Sequence, residues 1–146
     1  MARIADVMSL RLVSVRPEES VQVAIARMLE ENVGSVAVCD GSRLVGMFTE
    51  RDVLRLAGAQ DGGAIVDTAV ADVMTRRLVT AAPDDDVLAA AQMMSERRIR
   101  HLPVVQDGNV LGLIGIRDVL RVLVETVWRE RDEGARETAQ GLLRGG

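Results

Sequence analysis

The sequence predicts an α+β fold with α/β-like character: two copies of a β-α-β-β-α unit, packed sheet to sheet as a pseudo-twofold pair. The first observation is an internal repeat, since Ala5-Asp6-Val7-Met8 returns as Ala71-Asp72-Val73-Met74 and the match continues without a gap. The second is that each copy holds a helical apolar pattern followed by two apolar runs around an Asp-Gly turn. Because a unit of about 50 residues is marginal alone, the two copies should pack together.

Each copy is expected to begin with a short strand and an amphipathic helix. The strands Leu12–Val15 and Leu78–Ala81 each lead into a proline, and Ser20 or Asp86 then stands as the N-cap of a helix. Apolar side chains follow at helical spacing, which predicts one stripe facing a sheet. These residues are Val21, Ala24, Ile25, Met28 and Leu29 in copy one, and Val87, Ala90, Ala91 and Met94 in copy two.

A hairpin and a closing helix complete each copy. Asp40-Gly41 and Asp107-Gly108 each lie between two apolar runs, which is a strong hairpin signal. The expected strands are Ser35–Cys39, Leu44–Thr49, Leu102–Val105 and Val110–Ile114, and the expected closing helices are Glu50–Leu56 and a helix from Ile116 onward.

These patterns divide the chain into unit 1 (residues 1–57), a linker (58–69), unit 2 (70–124) and a C-terminal helical extension (125–146). Gly58, Gly62 and Gly63 mark the linker as a surface connection. The second closing helix runs past its counterpart, with apolar residues as far as Trp128. This stripe fits contact with another chain as well as it fits packing on its own domain.

Composition narrows the function. A net charge of −4 and an aromatic content of 1% disfavour nucleic-acid binding, which needs a basic face and stacking rings. The sequence shows no signal peptide and no apolar run near the ~20 residues of a membrane helix, so we expect no membrane association and a cytoplasmic location. Cys39 is the single cysteine and His101 the single histidine, so we expect no disulfide and no metal site.

The stretch from Thr49 to Asp52 is the candidate binding site. A hydroxyl, a carboxylate and a helix N-terminus meet there, and the N-terminus suits a phosphate while the carboxylate suits the two hydroxyls of a ribose. The same residues would also form a capping box, and the stretch alone favours that structural role. Copy two repeats the pattern with Asp118, but Gly115 stands where the hydroxyl should be.

The repeat as a whole resembles the CBS-domain pair, also called a Bateman module, over Ile4–Arg121. The resemblance rests on both Asp-Val-Met runs, on Arg100-His101-Leu102-Pro103-Val104 and on both Asp-Val-Leu closings. It implies a free-standing regulatory module that binds AMP, ADP, ATP, NAD(H) or S-adenosylmethionine in clefts between the units. It further implies no required cofactor, a flat homodimer and a regulated protein that the sequence does not identify.

The resemblance also implies which residues bind the ligand. In the first cleft Thr49 would hold the phosphate and Asp52 the ribose, with Thr80, Arg100 and His101 added from the other copy. Asp52→Ala should then weaken binding more than the same change at Asp118.

In the second cleft Asp118 would act with Ser14, and phosphate binding would depend on the backbone of Gly115. Gly34 and Ser35 would lie near one or both clefts. The adenine would lie between aliphatic side chains, among them Val13, Val36 and Val79.

The basic run Arg97, Arg98, Arg100 and His101 is unusual in an acidic protein, and guanidinium forks suit phosphate. We therefore favour a phosphate-binding role over a purely solvated or strand-edge one. An alternative function is a ligand-independent dimerisation or protein-interaction module, which the missing hydroxyl at position 115 supports. We expect that the protein is not an enzyme, because the sequence offers no paired acid and base, no activated nucleophile and no Walker-type motif.

Overall fold

The structure is a computed structural model that describes residues 2–59 and 67–144, with side chains described as far as residue 134. Its described part contains six helices and five strands, which confirms the predicted α+β class. The elements are α1 (Ile4–Val7), β1 (Ser14–Val15), α2 (Val21–Glu31), β2 (Ser35–Asp40), β3 (Arg43–Thr49), α3 (Glu50–Ala57), α4 (Val70–Val73), α5 (Val87–Arg97), β4 (His101–Gln106), β5 (Asn109–Gly115) and α6 (Ile116–Arg144). Most of the predicted linker, residues 60–66, lies outside the described residues.

The two long helices of the units begin and end in the same way. The side chain of Ser20 accepts a hydrogen bond from the N–H of Val23, and that of Asp86 accepts one from Leu88, so both predicted N-caps are confirmed. At the other end, Asn32 and Arg98 adopt the left-handed conformation, with φ of 53° and 55°. The gapless repeat therefore extends to the backbone geometry of the helix ends.

The strands form one sheet with the order β1-β2-β3-β5-β4, in which each hairpin is antiparallel. The hairpins of the two units meet near their turns, where Arg43 pairs with Asn109 and the hydroxyl of Ser42 lies 2.9 Å from the Asn109 side-chain oxygen. Each unit has its own apolar core, and a further apolar cluster combines residues of both units, among them Cys39, Met47 and Leu113. Its burial raises the pKa of the Cys39 thiol.

The prediction of a strand over Leu78–Ala81 is wrong: within these four residues the structure has a single isolated bridge, between Ala81 and Val104. In unit 1 the N–H of Ala37 donates to the carbonyl of Val13, which helps to hold β1 on the sheet. Pro103 occupies the equivalent position in unit 2 and has no N–H to donate. The ladder is therefore one bond shorter there.

The repeated Ala-Asp-Val-Met runs form the one-turn helices α1 and α4, and each packs against the opposite unit. Ile4 is buried in the core of unit 2, and its N–H donates to the carbonyl of Asp85. Val70 and Met74 are buried in the core of unit 1, and the N–H of Val70 donates to Glu19. The two units thus exchange their leading segments, which the sequence analysis did not predict.

Candidate functional site

The first half-site comprises Gly34, Ser35, Thr49, Glu50 and Asp52, where β3 ends and α3 begins. Asp52 is only 2% exposed, and its carboxylate is held by donors from two parts of the chain. Its oxygens accept from the N–H of Thr49 at 2.9 Å, the Thr49 hydroxyl at 3.1 Å, the Arg55 guanidinium at 2.6 Å and the Thr75 hydroxyl at 3.0 Å. The predicted capping box is confirmed, since the Thr49 hydroxyl also accepts from the N–H of Asp52.

The hydrogen bonds of Thr49 limit what its hydroxyl can do. A threonine hydroxyl carries one proton, and here that proton is donated to Asp52. Donation to a phosphate would therefore require Thr49 to release the carboxylate. The carboxylate of Glu50 lies against Gly34 in the same half-site, since a Cβ atom added at Gly34 would come within 3.2 Å of it. An additional negative charge beside the cleft opposes an anionic ligand.

The second half-site comprises Arg100, His101, Gly115 and Asp118, where β5 ends and α6 begins. Asp118 accepts from the N–H of Gly115 at 2.8 Å and from the guanidinium of Arg121 at 2.9 Å. Its side chain is 20% exposed. Among the described residues these are the two donors that reach it, so about half of the ~4 acceptor positions of the carboxylate remain open.

The residue at position 115 is matched to its neighbour across the hairpin. Gly115 pairs with His101 in the β4–β5 ladder, whereas in unit 1 Thr49 pairs with Ser35. A side chain added at Gly115 would come within 3.0 Å of the His101 ring. The His101 ring therefore leaves little room for a side chain at position 115, which accounts for the glycine without reference to a ligand.

His101 lies in a mixed electrostatic environment. Loss of water around its ring lowers its pKa, and the charges of Arg100 and Arg117 act in the same direction. The carboxylates of Asp118 and Glu50 oppose this change in the pKa. His101 is thus within electrostatic reach of both half-sites, although its ring packs on the second.

The remaining predicted residues are more dispersed. Thr80 and Arg100 are exposed, and the carbonyl of Arg100 accepts from the N–H of Ile116 at 2.9 Å. Val36 is fully buried in the core of unit 1. Assignment of these residues to an adenine or phosphate contact therefore stays a prediction.

Ser14 lines an open groove of about 460 Å³ rather than a pocket around either aspartate. Arg27 crosses this groove, donating to the Ser14 carbonyl at 2.5 Å and to Glu19 at 3.1 Å. The groove is lined by Ser14, Val15, Arg16, Glu19, Arg27, Cys39 and Gly41. The predicted pairing of Ser14 with Asp118 stays a prediction.

Sequence reasoning missed Thr75, which contacts Asp52 from the opposite unit. The signal was present in the repeat, because Thr75 follows Asp-Val-Met and corresponds to Ser9. In the described part of the chain, no cluster of three metal-binding side chains occurs. The helices described there include none that is both long and apolar enough to cross a membrane.

Comparison with known proteins adds an independent line of evidence. The family model described as CBS domain matches this chain twice, over residues 4–58 and 70–125. The CBS domain-containing protein CBSX3, mitochondrial, from Arabidopsis thaliana is 38% identical over 112 residues, which cover 73% of this chain and 54% of that protein. The chain therefore spans about half the length of this relative.

Two solved structures of similar proteins contain ligands. The structure of CBSX2 in complex with AMP is 28% identical, with a TM-score of 0.76, and the match covers 85% of this chain and 97% of that one. The CBS domain pair of protein MJ0100, in complex with 5-methylthioadenosine and S-adenosyl-L-methionine, is 26% identical, with a TM-score of 0.74. That match covers 86% of this chain and 98% of the other.

Proposed function

We propose that this chain, which belongs to the CBS-domain family, is a regulatory module that binds an adenosine-containing ligand between its two units. One observation carries the proposal: Asp118 is a partly exposed carboxylate with open acceptor positions, and it lies beside a histidine and several arginines. The two similar structures with AMP or with S-adenosylmethionine and methylthioadenosine support the ligand class.

The contacts favour the second half-site as the one that binds. A ribose presents two adjacent hydroxyl donors, and Asp118 can accept them without breaking an existing bond. The carboxylate of Asp52 already has four donors. This order is the reverse of the one expected from the sequence, where the missing hydroxyl at Gly115 counted against the second cleft.

Charge favours a ligand with phosphate groups. Arg100 and Arg117 both act electrostatically on His101, and Arg121 lies on Asp118. Guanidinium groups bind phosphate well and repel the sulfonium of S-adenosylmethionine. AMP, ADP, ATP and NADH are therefore the ligands that we place first.

Thermal unfolding with AMP, ATP, NADH and S-adenosylmethionine in turn tests this proposal. A ligand at a hundredfold excess over its Kd adds roughly 2.7 kcal/mol, which for a chain of this size raises the Tm by about 5–10 °C. A rise with a phosphate-containing ligand, lost in Asp118→Ala, supports the proposal. No rise with any of the four would favour the ligand-independent interaction module instead.

The same module is proposed to act as a homodimer through α6. Leu120, Val124, Val127 and Trp128 are 52%, 52%, 59% and 57% exposed, so the stripe does not pack on its own domain among the described residues. The following residues alternate in sign, with Arg129 and Glu130 in sequence, which suits pairing with an antiparallel copy of the same helix.

Light scattering at micromolar concentration checks the dimer. Val124→Glu places a charge in the apolar stripe and should shift the mass from dimer to monomer. Leu10→Glu is the matched control, since Leu10 is 74% exposed but lies outside α6. A monomeric native protein would contradict the dimer. We assign the module no catalytic role, and a cytoplasmic location and the identity of the regulated protein stay predictions.

A further inference from the structure

We infer that Thr75, from unit 2, is an internal competitor of the ligand at the first half-site and keeps that half-site closed until it is displaced. The inference rests on the proposed function and specifies how the first half-site is regulated. The competing contact is the hydrogen bond from the Thr75 hydroxyl to the Asp52 carboxylate, 3.0 Å to one oxygen and 3.3 Å to the other.

The carboxylate of Asp52 is saturated with hydrogen bonds from described residues. A carboxylate offers about four acceptor positions, and four donor groups reach Asp52 in the described structure. Its 2% exposure leaves no path for a ribose hydroxyl unless one donor withdraws. Two of the donors belong to Thr49 and maintain the capping box, so their withdrawal would also uncap α3.

Of the donors to Asp52 in the described structure, Thr75 is the one that comes from unit 2. Among the described donors to Asp52, Arg55 and Thr75 are the two that do not belong to Thr49. Arg55 lies one turn away on the same helix, and its side chain is 63% exposed, so its withdrawal changes nothing beyond α3. Thr75 instead joins the two units, because its N–H and carbonyl each bond to the backbone of Met47, at 2.9 and 3.0 Å. Displacement of the Thr75 hydroxyl is therefore the change that would connect ligand binding at Asp52 to a residue that joins the two units.

The second half-site has a residue that corresponds to Thr75 but makes a different side-chain contact. Ser9 corresponds to Thr75 and bonds in the same way to the backbone of Leu113, at 2.8 and 3.0 Å. Its hydroxyl accepts from the N–H of Arg11 at 3.3 Å, and among the described hydrogen bonds none joins it to Asp118. The backbone connection is thus duplicated, whereas the contact to the carboxylate exists in one half-site.

Isothermal titration with AMP, on the full chain, tests the competition. Thr75→Val keeps the shape of the side chain but removes the donor, so it should add AMP binding at the first half-site to that of the native protein. Ser9→Ala is the matched control and should titrate like the native protein. Thr75→Val combined with Asp52→Asn should lose the added binding again.

A ligand-free measurement tests the contact itself. In thermal unfolding, Thr75→Val and Asp52→Asn should each lower the Tm, and the double variant should lower it by less than the sum of the two. Decreases in Tm that simply add in the double variant would show that Thr75 and Asp52 are not hydrogen-bonded. Equal AMP binding by Thr75→Val and native protein would overturn the competition alone. Coupled changes in Tm without AMP binding in any variant would overturn the competition together with AMP binding in the proposed function.

Discussion

The two half-sites have the same backbone and opposite side-chain chemistry. Each places an aspartate at the third position of a helix that directly follows a strand. Among the described residues, Asp52 in the first half-site is buried and accepts from four donors, whereas Asp118 in the second is partly exposed and accepts from two. The half-site with the complete Thr49–Asp52 motif therefore has its carboxylate occupied, whereas the half-site in which Gly115 replaces the hydroxyl has a carboxylate that can accept further hydrogen bonds.

This difference shows that a binding motif cannot be evaluated without the neighbours that compete for it. Thr49 and Asp52 satisfy one another, and Thr75 completes the set from the opposite unit. Gly115 removes the competing hydroxyl and gives the His101 ring room to pack. Gly115, whose missing hydroxyl counted against binding in the sequence, thus leaves the carboxylate of Asp118 available as an acceptor in the structure.

The largest expected effect concerns stability without ligand. Asp52→Ala should cost ~3 kcal/mol, because it leaves several part-buried donors without an acceptor and removes the carboxylate half of the capping box. Asp118→Ala should cost only ~1 kcal/mol, since the lost contacts are partly exposed. Urea unfolding of both variants measures the difference, and equal losses would contradict the contrast in burial.

The next effect concerns ligand binding. Asp118→Ala should weaken AMP binding by roughly 10- to 100-fold, the loss expected for hydrogen bonds to a charged group. Asp52→Ala, measured under conditions in which it is folded, should lose much less of its affinity for AMP. Titration calorimetry at a temperature where both variants are folded provides the measurement. A larger loss in Asp52→Ala would restore the order expected from the sequence.

A smaller effect should follow when the hairpin partner at position 115 is exchanged. Gly115→Thr should destabilise the chain by ~1 kcal/mol, because the added Cβ would lie 3.0 Å from the His101 ring, closer than ordinary van der Waals contact. In the His101→Ser background, which imitates the Ser35–Thr49 pair, the same change should cost little. Additive losses in thermal unfolding would show that the two positions are not matched.

The smallest effect is a pH dependence through His101. Burial lowers its pKa from the ordinary value of 6.5, so between these two values the unfolded chain binds more protons than the folded one. Stability should therefore be complete above pH 6.5 and decrease as the pH falls through the lowered pKa. His101→Gln should flatten this part of the Tm–pH curve, with native protein as the reference; an unchanged slope would exclude His101 as its origin.

Much of the fold could be predicted from the sequence, because local signals agreed with the tertiary structure. The Asp-Gly turns and the caps at Ser20 and Asp86 appear where expected, and so do the apolar helical stripes except at Leu29, which is 77% exposed instead of facing the sheet. The predicted strand Leu78–Ala81 failed because its formation depends on a donor at position 103, which proline lacks. Strand pairing is a property of two segments, and the pattern of one segment cannot report it.

The sequence by itself determined the hairpin turns, the helix caps and the capping box, since these depend on residues within a few positions of one another. The tertiary structure alone decided that α1 and α4 pack on opposite units, and that Thr75 reaches Asp52. It also decided that Asp118 keeps acceptor positions open. The physical reason is that a carboxylate binds whichever donors lie within about 3 Å, and long-range packing sets which donors those are.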